Sequence, residues 1–261
     1  MSHPQVQAIT ARDNPQLQRI RKLVADPGAY RKLGCVWLEG DHLARAALAR
    51  GRAPLLALAT EAAYAEHRAL LEAAPRVLIV APALFKTISG LESPAQLGFE
   101  IACDAAPALT PDADSVVLDR LQDAGNVGTI LRSAAALGFG QVLALKGTAA
   151  LWSPKVLRAG MGAHFGLKLV EGLAVEDLAV LAVPLVATSS HTEAQLHLSA
   201  LPSPCAWVMG HEGQGVQDAL MARCALAVAI PQPGGEESLN VGAAAAICLY
   251  ESARQRLARA Q

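Results

Sequence analysis

Between Ser115 and Ile230 the chain carries a series of short, mainly apolar runs, separated by loops and by stretches long enough for helical crossovers. The runs are Ser115–Leu118, Val142–Leu145, Leu185–Thr188, Ala206–Met209 and Leu226–Ile230. Runs this short, without polar alternation, suit strands buried on both faces, as in a parallel sheet with helical crossovers. In such sheets ligands bind at the carboxyl ends of the strands. A closing helix is expected from Asn240 to Leu257, where small residues dominate its first turns.

The N-terminal part reads as a second, smaller α/β unit. Asn14-Pro15 has the form of a helix start, with Asn14 as N-cap and Pro15 at the first helical position. Leu17, Ile20 and Leu23 then repeat at helical spacing, and Pro27-Gly28 ends the helix. Strands are expected at Val36–Leu38, Leu55–Leu58, Val77–Val80 and Phe99–Ala102. The segment Ala105–Asp114, AAPALTPDAD, reads as a linker. The chain is therefore divided near residue 108 into α/β domains at 1–108 and 109–261.

Composition removes several classes. No apolar run is long enough to span a bilayer without charge or Pro, so no membrane association is expected. The N-terminal residues lack the basic-then-apolar layout of a signal peptide, and a cytoplasmic protein is expected. Cys35, Cys103, Cys205, Cys224 and Cys248 form no CxxC pair, which points to reduced, buried thiols and to no structural metal. Net charge is −1, but residues 1–60 hold nine Lys/Arg against four Asp/Glu. Arg12, Arg19, Arg21, Lys22, Arg31 and Lys32 gather there, either as a phosphate-binding patch or as a solvated helix face.

Three loops are chemically unusual for their setting. The first, in Leu118–Gly140, carries Asp123, Gly125 and Asn126 before a helix, with Arg132 early on that helix and expected to point toward the same end as Asn126. The second, WVMGHEGQG at Trp207–Gly215, sets Glu212 among three glycines after a buried strand. It lacks dinucleotide GxGxxG spacing, and His211-Glu212 has no further ligand at a useful spacing for a metal. The third, Ala229–Ile247, leaves a strand at Ile230-Pro231, crosses an acidic loop and opens a helix at Ser238-Leu239-Asn240, with Ser238 a candidate N-cap.

In this order the three loops resemble the SpoU/TrmH branch of the knotted RNA methyltransferases. NVGTILRSAAALG is similar to the family's first motif, VMGHEGQGV to its second and IPQPGGEESLNVGAAAAI to its third. PKVLRAGMGAHF and Trp37-Leu38-Glu39-Gly40 also resemble family segments, the latter in the RNA-binding domain that often precedes the catalytic one. The likeness covers nearly the whole chain and is strongest over 117–250.

That resemblance implies an α/β RNA-binding domain followed by an α/β domain with a deep trefoil knot, and a homodimer. It implies methylation of a ribose 2′-hydroxyl in RNA, ribosomal RNA slightly before transfer RNA, with S-adenosylmethionine as cofactor and no metal. Thr188, Gly210, Ile230 and Leu239 would contact the cofactor, and Asn126, Arg132, Glu212, Ser238 and Asn240 would form the polar active site. Arg132 would act on the hydroxyl proton as a base, or stay charged and stabilise the developing alkoxide. Two positions depart from the family: His211, where Asn or Ser is usual and a backbone role is expected, and Gly160, where Ser is common. A nicotinamide oxidoreductase fails because Gly138-Phe139-Gly140 lacks the third glycine and precedes a strand. A non-catalytic RNA-binding relative would have lost motif residues that are all present, and methylation of a base would call for a different third motif.

Overall fold

Asn14 caps the first helix as its chemistry dictates: its Oδ1 accepts from the Gln16 amide at 2.9 Å, and Pro15 occupies the first turn. The computed structural model describes residues 4–103, 107–189, 192–235 and 238–259; Ala105 and Ala106 of the expected linker, with Glu236 and Glu237 of the acidic loop, lie outside the described residues. Two compact units form: Met1–Ala105 with Trp152–Phe165, and Ala106–Leu151 with Gly166–Gln261.

The first unit runs β1 (Gln5–Ile9), α1 (Pro15–Ala25), α2 (Ala29–Leu33), β2 (Cys35–Glu39), α3 (Asp41–Ala49), β3 (Pro54–Ala59), α4 (Glu61–Glu66), α5 (Arg68–Leu71), β4 (Arg76–Val80), α6 (Pro82–Lys86) and β5 (Leu97–Ala102). Its sheet has the order β1-β4-β3-β5-β2, with β1, β4 and β3 parallel and β5 antiparallel to both neighbours. Leu17, Ile20 and Leu23 are the buried face of α1, as their spacing requires. β1 was not foreseen: it is an edge strand with four of five residues exposed, so its sequence has no apolar run.

Glu100 is the costly residue of this unit. It is 3% exposed on β5, opposite Trp37, and takes Arg19 of α1 at 2.8 Å. Arg19 also donates to Cys35 Sγ at 3.0 Å. Arg21 is bonded to Thr87 Oγ1 and the Arg12 carbonyl, and Arg31 lies 4.9 Å over the Tyr30 ring. Half of the basic cluster thus has internal work, leaving Arg12, Lys22 and Lys32 exposed. Glu39, after Trp37-Leu38, accepts from Ser89 Oγ and the Gly90 and Ala95 amides, folding that loop over the strand end.

The second unit contains β6 (Ser115–Leu118), α7 (Ala124–Ala136), β7 (Gln141–Leu145), β8 (Lys168–Leu173), β9 (Leu185–Thr188), β10 (Ala206–Met209), α9 (Asp218–Met221), β11 (Leu226–Val228) and α10 (Val241–Arg259), while α8 (Pro154–Gly160) groups with the first unit. The single division near residue 108 does not capture that last grouping. Its physical basis is close packing on α3: a Cβ at Gly162 would lie 2.5 Å from the Ala46 Cβ. The second sheet is parallel throughout, in the order β11-β9-β10-β6-β7-β8. β8 escaped the sequence reading because it is an edge strand carrying Lys168, Glu171 and Gly172. β11 stops at Val228, two residues short of expectation.

α7 and α10 pack side by side, and α10 also lies on β10, where the buried Trp207 donates to Ser252 Oγ at 2.8 Å. Near its end Arg256 pairs with Asp114, donates to the Leu137 carbonyl at 2.7 Å and covers the Phe139 ring. Four of the five cysteines are buried and Cys224 is half-buried. Burial pushes the thiols of Cys205 and Cys248 up to about 12 and that of Cys224 to about 11, so they are poor nucleophiles.

Removing one partner of a buried ion pair strands the other charge. Because Glu100 is buried but the Arg19 side chain is 38% exposed, Arg19→Met is expected to destabilise the first unit by about 1–2 kcal/mol in urea unfolding, with much of the loss recovered by adding Glu100→Gln. An R19M protein as stable as the native one would contradict the role given to this pair.

Candidate active site

Parallel pairing fixes which loops can meet. Leu118 is in register with Met209, and Thr188 with Val228, so β6, β10, β9 and β11 end together on one side of the second sheet. Asp119, Thr188 and Gly210 leave these strand ends directly, and Ile230 follows two residues beyond β11.

The loop after β10 is a small, tied turn. His211 and Gly215 exchange backbone hydrogen bonds at 3.0 and 2.8 Å. Gly210 sits so close beneath that a Cβ would lie 2.3 Å from Gly215 C and Val216 N, which only glycine permits. Asp119, fully buried, accepts from the Gln217 amide at 2.7 Å and its side chain at 2.6 Å, and pairs with Arg120 at 2.8 Å. Arg120 itself adopts φ +60°, uncommon for a residue with a Cβ, and reaches Gln214 Oε1 at 3.1 Å. The His211 side chain also takes part, since its Nδ1 accepts from the amides of Gly213 and Gln214. The purely backbone role expected for it is therefore corrected.

Held in this way, Glu212 reaches across to the start of α7. Its carboxylate accepts from the amides of Gln122 and Asp123 at 3.3 and 3.2 Å and from Asn126 Nδ2 at 3.2 Å. Asn126 Oδ1 in turn accepts from Asn240 Nδ2 at 2.9 Å. Asn240 is the N-cap of α10, its Oδ1 accepting from Gly242 and Ala243 at 2.9 and 3.2 Å. The cap expected at Ser238 is thus at Asn240, because the helix starts two residues later. Asp123 caps α7, accepting from the Asn126 amide at 2.7 Å. Burial is the largest single influence on Glu212 and opposes its charge. The hydrogen bonds from its own amide, Asn126, Asp123 and Gln122 together prevail and hold its carboxyl below the ordinary value.

Glu212, Asn126 and Asn240 are thereby brought into one bonded chain joining all three loops. Arg132 is not part of it. Six residues after Asn126 on a helix is a rotation of about 240°, so the two side chains leave different faces and not a common end. Arg132 is exposed and, among the described residues, makes no hydrogen bond or ion pair. Ser238 is exposed, Leu239 is 40% exposed, and Thr188 and Ile230 are half-buried. Asp119, Arg120, Gln122 and Gln217 were missed; the signal for the first two was a charged pair set directly after the buried run Ser115–Leu118.

Residues 114–250 match the model of the SpoU rRNA Methylase family. Over nearly its full length the chain is 32% identical to a protein of Synechocystis described as an uncharacterized tRNA/rRNA methyltransferase, covering 97% of this chain and 96% of that one. It is 30% identical to the 23S rRNA (guanosine(2553)-2′-O)-methyltransferase of Bacillus subtilis, covering 82% and 86%. A crystal structure of an RNA 2′-O ribose methyltransferase superposes with a TM-score of 0.79 at 31% identity, covering 96% of this chain and 99% of that one. The AdoMet-bound rRNA methyltransferase of Sinorhizobium meliloti does so at 0.83 and 26%, covering 97% and 98%. With more than half its length matching the family model and nearly its whole length matching a relative, the chain belongs to the SpoU rRNA methylase family.

Proposed function

We propose that the protein transfers the methyl group of S-adenosylmethionine to a ribose 2′-hydroxyl of RNA, with ribosomal RNA preferred, in the cytoplasm. The observation that carries this reading is the chain Glu212–Asn126–Asn240, which ties three separate strand-end loops into one site. The reaction type and RNA class follow the B. subtilis relative, and the cofactor follows the S. meliloti structure.

The residues fit such a cofactor. Gly210 packs so tightly against Gly215 and Val216 that no side chain could stand there, which fixes the loop backbone, and Ile230 and Leu239 carry partly exposed apolar surface suited to an adenine ring. Gln232 Oε1 is buried without a donor among the described residues, an acceptor suited to an amino or hydroxyl group of a ligand. Thr188 completes the group at the end of β9. When bound, S-adenosylmethionine supplies a methyl group on a positively charged sulfur, an excellent leaving group.

The chain's own residues then have to position a weak nucleophile. Glu212 is ionised and its oxygens already accept three N–H groups, so it orients Asn126 and the turn and is a poor proton acceptor. Arg132, exposed and without a carboxylate partner among the described residues, is suited to hold an RNA phosphate and to stabilise charge on the attacking oxygen. Ser238 and Asn240 hydrogen-bond the ribose.

The same reading extends to domains and assembly. Residues 1–108 serve as the RNA-binding part, supported by exposed Arg12, Lys22 and Lys32, and 109–261 as the methyltransferase. A trefoil knot near the C-terminus is supported by residues 194–201, which bond to Ala229 beyond β11 and to Gln255 of α10. A homodimer is supported by a stripe on α10, with Ile247 41%, Tyr250 60% and Leu257 68% exposed at helical spacing.

Labelled methyl transfer to undermethylated total RNA, with nucleoside analysis, tests the reaction; a methylated base in place of a 2′-O-methyl nucleoside would refute it. Arg132→Ala is expected to abolish transfer while leaving cofactor affinity within about twofold of native by calorimetry, because the residue lies outside the bonded chain. Glu212→Gln is expected to lose about tenfold or more in rate, since charge-assisted hydrogen bonds become neutral or are broken. The folded Glu212 carboxyl is depressed, so its contribution is present above the ordinary carboxylate range, about pH 4.3, and fades as pH falls through the lowered value. The stability difference between native and E212Q should shrink in that acid window. Tyr250→Asp should shift the protein to monomer in sedimentation, and an unchanged mass would remove the assigned dimer face.

A further inference from the structure

His211 has a side-chain task that the family pattern does not assign. Its Nδ1 accepts from the Gly213 amide at 3.0 Å and from the Gln214 amide at 3.3 Å, closing the turn whose next residue is Glu212. One lone pair serves two donors, and both bonds require that the ring proton sit on Nε2. An Asn or Ser in this place offers an oxygen acceptor that does not titrate. A histidine offers a ring nitrogen whose lone pair is lost when it takes a proton.

Protonation would place an Nδ1–H against two backbone N–H groups. Both bonds would be lost, and three donors would face one another in a turn that also packs against Gly210. The charged groups held against the turn pull in both directions. Glu212 lies on it; Arg120 reaches it through Gln214; Asp119 sits behind Arg120 and holds Gln217; Asp123, at the start of α7, donates its amide to Glu212.

We propose that His211 is a positioning residue whose neutral Nδ1 shapes the Glu212 turn, so that cofactor binding weakens when this imidazole takes a second proton. The cofactor part rests on the function proposed above; the state of the ring does not.

The experiment uses the full-length protein with S-adenosylmethionine as probe, measuring affinity from about pH 8 to about pH 5 for native, His211→Asn and His211→Ala proteins. At the alkaline end H211N should bind within about threefold of native, and H211A about tenfold more weakly, the effect of losing two neutral hydrogen bonds. Towards the acid end native affinity should fall while H211N stays flat. Equal pH profiles for native and H211N, or H211A as tight as native, would overturn the proposal. In parallel, ring nitrogen resonances of the protein without cofactor should show Nδ1 unprotonated and Nε2 protonated at the alkaline end; the opposite tautomer would also overturn it. If the native protein binds no S-adenosylmethionine at any pH, the cofactor reading fails, and the ring tautomer alone decides the role of His211 in the turn.

Discussion

The carboxylate of Glu212 is the point on which the second unit's functional end depends. Backbone amides at the start of α7 need acceptors, and a turn rich in glycine needs something outside itself to hold it. One ionised group answers both needs by accepting from Gln122, Asp123 and Asn126. Because Asn126 passes the connection on to Asn240, the entry to α10 is set by the same carboxylate. Each amide in the chain uses both ends, donating through nitrogen and accepting through oxygen, so no member can be replaced by an apolar residue of like shape without leaving its neighbours unpaired.

Such a chain works only if the turn beneath it is stiff. The stiffness comes from opposite extremes of chemistry at adjacent positions. Gly210 contributes by having no side chain, which lets Gly215 and Val216 close over it. Asp119 contributes a full charge in a site with no exposure, tolerable because Arg120 and both nitrogens of Gln217 surround it. Arg120 accepts an uncommon backbone conformation to make that pairing. Conformational cost is concentrated where the loop leaves the sheet, and the tip is left geometrically defined.

Much of this fold could be read from the residues, for identifiable reasons. Strands buried on both faces, such as Ser115–Leu118 and Ala206–Met209, announce themselves as uninterrupted apolar runs. Edge strands do not: β1 and β8 face solvent, carry polar residues, and are strands because a neighbour pairs with them. The return of Trp152–Phe165 to the first unit depends on a contact at Gly162 that no local pattern encodes. At the candidate site, motif order singled out Asn126, Glu212 and Asn240 as expectations, but their mutual bonding is a long-range fact spanning 86 and 114 residues of sequence. Asp119 stayed hidden because a buried carboxylate is visible only once its partners are in place. Asn240 displaced Ser238 as cap because the amides of Gly242 and Ala243 lie within its reach.

The isolation of Arg132 then follows from how α7 and α10 pack. Their first turns are joined by Asn126 and Asn240, and their far ends by Arg256 and the Leu137 carbonyl, so the helices run alongside each other in the same direction. Gly242 keeps that contact free of crowding, since a Cβ there would stand 3.2 Å from Thr129 Cγ2, a tight separation. With inner faces committed to one another, Arg132 and the exposed stripe of α10 are turned outward. Among the described residues the Arg132 guanidinium has no carboxylate partner. It also avoids neutralising Glu212, which would be the natural partner if both left α7's neighbourhood on the same side. The separation leaves Glu212 bonded to the protein's own loops and Arg132 exposed on another face of α7.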